Sequence, residues 1–206
     1  ILLFLCVVYI FILPLVLRPS LERNWTPDQK VLAGVTFKED GIIFIENVRN
    51  IDYQSTSTYT LGYYDQTYNP DEIVRAWFVV EPFGAIGAAH TFVSFEFKDG
   101  KFLSISSEIR KEVGESFSPL LGLLRQYEMV YVVADERDVL RLRTNYRKDD
   151  VRLYPIQGNK EQVKQVFMDM IMRADSLSKN PEMYNTLTNN CTTNIIKHLR
   201  KVSTKD

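Results

Sequence analysis

The sequence predicts an α+β domain, a mixed or antiparallel sheet with packed helices, preceded by one transmembrane helix. Three observations predict it. Alternating strands flank two Asp-Gly turns, amphipathic helical stretches close the chain, and an uncharged apolar run opens it. A chain of 206 residues is long enough for one domain with a proper core. A formal net charge of -1 supplies no electrostatic footprint for nucleic acid.

The run "ILLFLCVVYIFILPLVL", residues 1–17, carries no charge. At about 1.5 Å per residue a helix of this length covers about 25 Å, slightly short of a hydrocarbon core of about 30 Å. It ends "LPLVLRPS" and lacks the small-residue site of a cleaved signal peptide, so an uncleaved anchor is expected. Residues 18–29 read as a polar linker and 30–206 as the folded domain.

In "VLAGVTFKEDGIIFIENVRNIDY" apolar runs flank Asp40-Gly41, which predicts a β-hairpin. "STSTYTLGYYDQTYNPDE" reads as a strand leading into a loop, and "IVRAWFVVEP" as a buried strand halted by Pro82. The strands of "GAIGAAHTFVSFEFKDGKFLSISSEIR" flank Asp99-Gly100, a pair suited to a two-residue type I′ turn. "YEMVYVVAD" and "VRLYPI" give further strands. "DERDVLRLRTNYRKDD" mixes basic and acidic residues; it reads either as a solvated face or as a surface for anionic lipid head groups. Asn159 caps a helix whose Val163, Val166, Phe167, Met170, Ile171 and Ala174 share a core-facing stripe. The last helix begins near Cys191 and presents Ile195, Ile196, Leu199 and Val202 to the core.

Cys191 is the only cysteine outside the apolar run, and it follows "NN" at the start of a helix. Asn190, or Asn189 before it, suits an N-cap, which puts Cys191 in the first turn. There the macrodipole and unpaired amides favour a thiolate, and the same amides, with Asn190 and Thr192 around them, suit an oxyanion hole. The bland alternative is a small buried hydrophobe. A thiol nucleophile needs a base. His198 lies two helical turns beyond Cys191 and reads as a surface histidine. His90 opens a strand after the small-residue run "GAIGAA" and is the candidate base. A strand-borne His before a helix-borne Cys is the order of permuted papain-like thiol enzymes. With a two-residue turn His90 falls opposite Ile109, so Glu108 needs a bulge to orient the imidazole. Ser107, a backbone carbonyl and the more distant Glu96 compete with it, and Glu108 otherwise reads as a solvent-facing partner of Arg110. No metal or cofactor is expected, since two distant histidines and no C-x2-C or H-x3-H spacing give no ligand set.

The stretches "RNWTPD", "VRNIDY", "AAHTFVSFEFKDGKFLSISSEIRKEVGESFSPLLGLLRQYEMVYVVADERDVLRLRTNYR" and "MYNTLTNNCTTNI" resemble the Lnb N-terminal periplasmic domain family over about residues 24–194. The family is named for a bacterial lipoprotein N-acyltransferase. The resemblance implies a domain on the periplasmic side of a bacterial inner membrane. It implies Cys–His acyl transfer, with Cys191 matching the nucleophile in "NNCTT", His90 the base in "AHTF", and Glu108 within "SxExR". A phospholipid acyl donor and a lipoprotein amine acceptor are the partners it implies. The competing expectations are a cysteine amidase or peptidase acting on cell-wall peptide, and a non-catalytic membrane-anchored binding domain.

Overall fold

The computed structural model describes residues 17–84 and 88–203. Apart from Leu17, the expected anchor lies outside the described residues. Among those residues no helix is long and apolar enough to cross a membrane.

The fold is a mixed α+β arrangement with a large sheet and several helices. A short helix α1 (Pro27–Lys30) precedes the hairpin β1 (Gly34–Phe37) and β2 (Ile43–Arg49). β3 (Asp52–Tyr53) and β4 (Tyr59–Thr60) form a separate two-stranded ribbon. β5 (Tyr63–Tyr68) returns along β2. The central meander is β6 (Ile73–Pro82), β7 (Ala89–Phe97), β8 (Phe102–Arg110) and β9 (Glu128–Asp135), with α2 (Pro119–Leu123) between β8 and β9. After β9 come α3 (Glu136–Arg141), widening into a π-type turn over Leu142–Arg147, and the edge strand β10 (Arg152–Pro155). Two helices, α4 (Lys160–Lys179) and α5 (Cys191–Ser203), close the chain. The sheet order is β1-β2-β9-β8-β7-β6-β10, with β5 on β2; among the described residues only β2 and β9 meet in parallel, at Arg49 and Ala134.

Strand alternation gives the central sheet two buried faces. One carries Val93, Phe95, Leu103, Ile105, Tyr131 and Val133 and packs on α4 and α5. The expected stripe of α4 lies in this core, and Phe95 meets Phe167 edge-on at 5.1 Å. Asn159 caps α4 in a reciprocal capping box with Gln162. On α5 Ile195 is fully buried and Leu199 and Val202 pack partly, whereas Ile196 is exposed, contrary to expectation. The opposite face carries Val79, Phe92, Val130, Val132 and Ala134 under α3 and Val139. A bidentate ion pair holds α3 there: Arg49 donates from Nε and Nη2 to the Asp138 oxygens at 3.0 and 2.9 Å.

The β7–β8 turn differs from the two-residue expectation. Phe97 and Lys101 close a three-residue loop: Phe97 N–H donates to the Lys101 carbonyl at 2.9 Å, and Gly100 N–H to Phe97 at 2.9 Å. Gly100 takes φ +77°, the left-handed conformation such a loop needs at its third residue. The extra residue moves the register by one, so Phe92 faces Ser106. Continued to the strand ends, this register sets Glu108, not Ile109, across from His90. No bulge is needed to bring the carboxylate to the imidazole.

Candidate functional site

Asn190 is the N-cap of α5. Its Oδ1 accepts the Thr193 N–H at 2.8 Å, and Thr193 Oγ1 accepts the Asn190 N–H at 2.9 Å. The first helical bond runs from Asn194 N–H to the Asn190 carbonyl at 3.1 Å. Cys191 and Thr192 are therefore the first two helical residues, and their N–H groups have no acceptor among the described residues. The loop ahead of them is knitted by asparagine amides, which both donate and accept. Asn185 Oδ1 accepts from Leu187 N, Thr188 N and Thr188 Oγ1, each at 3.0 Å, and Asn190 Nδ2 donates to the Thr186 carbonyl at 2.6 Å. Behind the loop, Gly122 of α2 approaches so closely that a Cβ there would sit 2.5 Å from Thr186 Oγ1.

Cys191 is a free, half-buried thiol. Its sulfur lies 3.8 Å from the Ala89 carbonyl oxygen and 3.8 Å from Thr192 Oγ1. Thr192 does not close the cap, a role taken by Thr193. It accepts from Thr91 Oγ1 at 3.3 Å and so fastens the first turn of α5 to β7.

His90 belongs to a buried polar chain on the other face of the strand. Its Nε2 lies 2.8 Å from Ser106 Oγ, and that hydroxyl donates to Glu108 Oε1 at 2.9 Å. The same Glu108 oxygen accepts from Arg143 Nη2 at 3.2 Å and stands 3.6 Å from His90 Nε2. Arg143 also donates to Glu81 Oε2 at 2.6 Å and to the Val139 carbonyl at 2.9 Å. Its guanidinium lies 5.0 Å over Phe92, which stacks on His90. Burial, then the Arg143 charge, pushes the His90 imidazole down to about 4 against the upward pull of Glu108. Burial pushes the Glu108 carboxyl up, but Arg143, His90, Arg49 and the Ser106 hydrogen bond outweigh it and hold it well below the usual carboxylate range. The ring is thus neutral at neutral pH. Since the single proton of Ser106 goes to the carboxylate, His90 must donate Nε2–H to Ser106. That leaves Nδ1, the nitrogen nearer the backbone, with its lone pair and no partner among the described residues.

The two halves adjoin at the start of β7. The sulfur touches the carbonyl of Ala89, and His90 is the next residue. No hydrogen bond joins sulfur to imidazole among the described residues. Thr91 turns toward α5, so alternation directs the His90 ring, like Phe92, away from it. The structure brings His90, Glu108 and the unforeseen Ser106 into one chain, and groups Cys191, Asn190 and Thr192 separately beside it.

Several readings of the sequence change. Glu108 is not a partner of Arg110, which stacks 4.2 Å over Trp25 and donates to the Gln29 and Lys30 carbonyls. Ser107 points to Met129 Sδ at 3.8 Å, and Glu96 lies down the strand opposite Arg75. The mixed-charge segment is not wholly solvated, because Arg143 turns inward. His198 is buried rather than superficial, between Asp169 Oδ2 at 2.6 Å and Tyr131 Oη at 2.8 Å. Ser106 and Glu81 were legible in principle: each lies on the face of His90 by period-two alternation once the register is known.

The model of the Lnb N-terminal periplasmic domain matches residues 59–206, and the chain belongs to that family. The match covers Cys191, His90, Ser106, Glu108 and Arg143. No curated protein and no solved structure matches the chain.

Proposed function

We propose that this member of a periplasmic-domain family is a membrane-anchored thiol acyltransferase of permuted papain-like type. It would move an acyl chain from a phospholipid through a Cys191 thioester to an amine, with the N-terminus of a lipoprotein as acceptor. One observation carries the reading: a free thiol on a capped helix start with two unpaired N–H groups adjoins a neutral imidazole oriented through Nε2. In the first step His90 Nδ1 takes the Cys191 proton and the thiolate adds to the ester carbonyl. The N–H groups of Cys191 and Thr192 receive the oxyanion. Collapse breaks the C–O bond, and the imidazolium returns its proton to the departing lysophospholipid alkoxide. In the second step the amine adds to the thioester and gives its proton to His90. The C–S bond breaks, the amide leaves, and the thiol is restored. His90 is the second residue of β7, so the first transfer runs around the strand end: one water between the sulfur and Nδ1 relays the proton while Nε2–H stays on Ser106.

Incubation with acyl-labelled phospholipid, followed by a peptide bearing an N-terminal cysteine amine, tests the proposal. Mass spectrometry should find the label first on Cys191 and then on the peptide. Unchanged labelling in Cys191→Ser or His90→Ala would overturn it. The contact of sulfur with the Ala89 carbonyl rather than the ring favours one second reading, a binding domain in which Cys191 merely packs. An absent thioester in the wild-type chain would support it.

A further inference from the structure

The sheet end that carries Cys191 is unusually apolar at its surface. Phe83, after β6, meets Phe117 edge-on at 6.1 Å, and both rings are exposed. Leu120, Leu121 and Leu124, on and just after α2, are exposed too, and so is Leu187 in the loop before Cys191. These segments are tied together: Thr186 Oγ1 donates to the Pro119 carbonyl at 2.7 Å and Asn185 Nδ2 to Leu123 at 3.2 Å. Leu187 and Leu120 present 69% and 63% of their surface, uncovered by any packing among the described residues. Contiguous exposed apolar side chains of this size mark a surface that meets something apolar.

The chain itself identifies the occupant. Ser20 N–H donates to Glu128 Oε1 at 3.2 Å, Arg23 Nε pairs with the same oxygen at 2.6 Å, and Asn24 accepts from Val113 N at 2.8 Å. Glu128 opens β9 at this same sheet end, opposite Arg110. From Ser20 back to Leu17 the chain spans at most about 11 Å, so Leu17, the last residue of the uncharged run, lies within that reach of Ser20 at this sheet end. By its length and composition that run is the expected bilayer anchor. We propose that the patch around Phe83, Phe117, Leu120, Leu121, Leu124 and Leu187 docks on the bilayer surface and holds the Cys191 end of the sheet against lipid. Docking needs no chemistry at Cys191. Only its benefit, an acyl ester that reaches the thiol without fully leaving the bilayer, rests on the acyl-transfer reading.

The full chain, reconstituted into vesicles of phosphatidylethanolamine and phosphatidylglycerol with brominated acyl chains, tests this. The variants Leu120→Trp, Leu187→Trp and Val74→Trp are made singly; Val74 is exposed at the start of β6 and thus at the opposite sheet end. The emission added over the parent chain is compared with that in unbrominated vesicles. The probes at 120 and 187 should lose most of their emission and the probe at 74 should keep it. Equal quenching at all three, or none at 120 and 187, overturns the proposal; cross-linking of two chains through 120 and 187 without quenching would assign the patch to a second copy instead. All three positions are exposed, so a folding failure at one leaves the others readable. Repeating the measurement in Cys191→Ala separates the claims: quenching should persist there while thioester formation is lost.

Discussion

Glu108→Gln tests the polar chain behind His90. The substitution keeps size and shape but removes the charge that faces Arg143 at 3.2 Å and His90 at 3.6 Å. At an effective dielectric constant of about 20, a unit charge pair at that separation attracts by about 5 kcal/mol. Desolvation offsets part of it, and Arg143 keeps its 2.6 Å bond to Glu81. Removing one partner of a buried pair typically costs about 3–5 kcal/mol, and with Glu81 remaining we expect about 2–3 kcal/mol at pH 7. The pH dependence makes the test specific. The folded Glu108 carboxyl titrates below its unfolded value of about 4.5, so the unfolded chain binds the proton first as pH falls. The stabilisation is therefore complete above that value, starts to fall as pH drops below it, by at most about 1.4 kcal/mol per pH unit for one proton, and is fully lost only below the lower folded value. Urea unfolding of both chains from pH 3.5 to 8 should show a gap that is widest above pH 5.5 and narrows below 4.5. A gap that stays constant across the range, or is absent at pH 7, would refute the assignment of Glu108 as the buried anion of this chain.

Three further outcomes follow from the same geometry. Ser106→Ala removes the acceptor of His90 Nε2–H; thioester formation should slow by at least about tenfold, and nitrogen NMR should show the imidazole shifting to mixed tautomers. His90 itself makes the fold acid-sensitive, because the unfolded imidazole binds a proton near 6.5 and the folded one only near 4. Stability should fall as pH drops from 6.5 to 4, and His90→Gln should flatten that slope in urea titrations. Gly122→Ala should destabilise the chain by about 1–3 kcal/mol in chemical unfolding, since its methyl would press on Thr186 and Tyr184 behind the Cys191 loop.

The sequence spoke most clearly where local chemistry decides the outcome. The Asn159 capping box, the α4 stripe, and Asn190 ahead of Cys191 all act within four residues, and each stands where the pattern set it. The β7–β8 pairing was legible as a hairpin but not in register. Asp-Gly suits both a two-residue and a three-residue loop, and one residue decides which side chains share a face. Ser106 was hidden by that single step, and Glu81 by the separate β6–β7 register that sets it opposite His90. Arg143 and His198 were hidden for another reason: their burial is compensated by Glu81 and Glu108, and by Asp169 and Tyr131, partners 29 to 67 positions away. The short helices α2 and α3 carried readable starts, Ser118 before Pro119 and Asp135 before Glu136, but are too brief for periodicity to declare them.

The acyl-transfer reading depends on the imidazole of His90 serving the sulfur of Cys191 across the start of β7. The most direct measurement is the rate at which iodoacetamide modifies the Cys191 peptide at pH 7, read by mass spectrometry in wild type and in His90→Gln. The account predicts a wild-type rate at least about tenfold higher, because only the neutral imidazole can draw off the thiol proton. Equal rates in the two chains would contradict it.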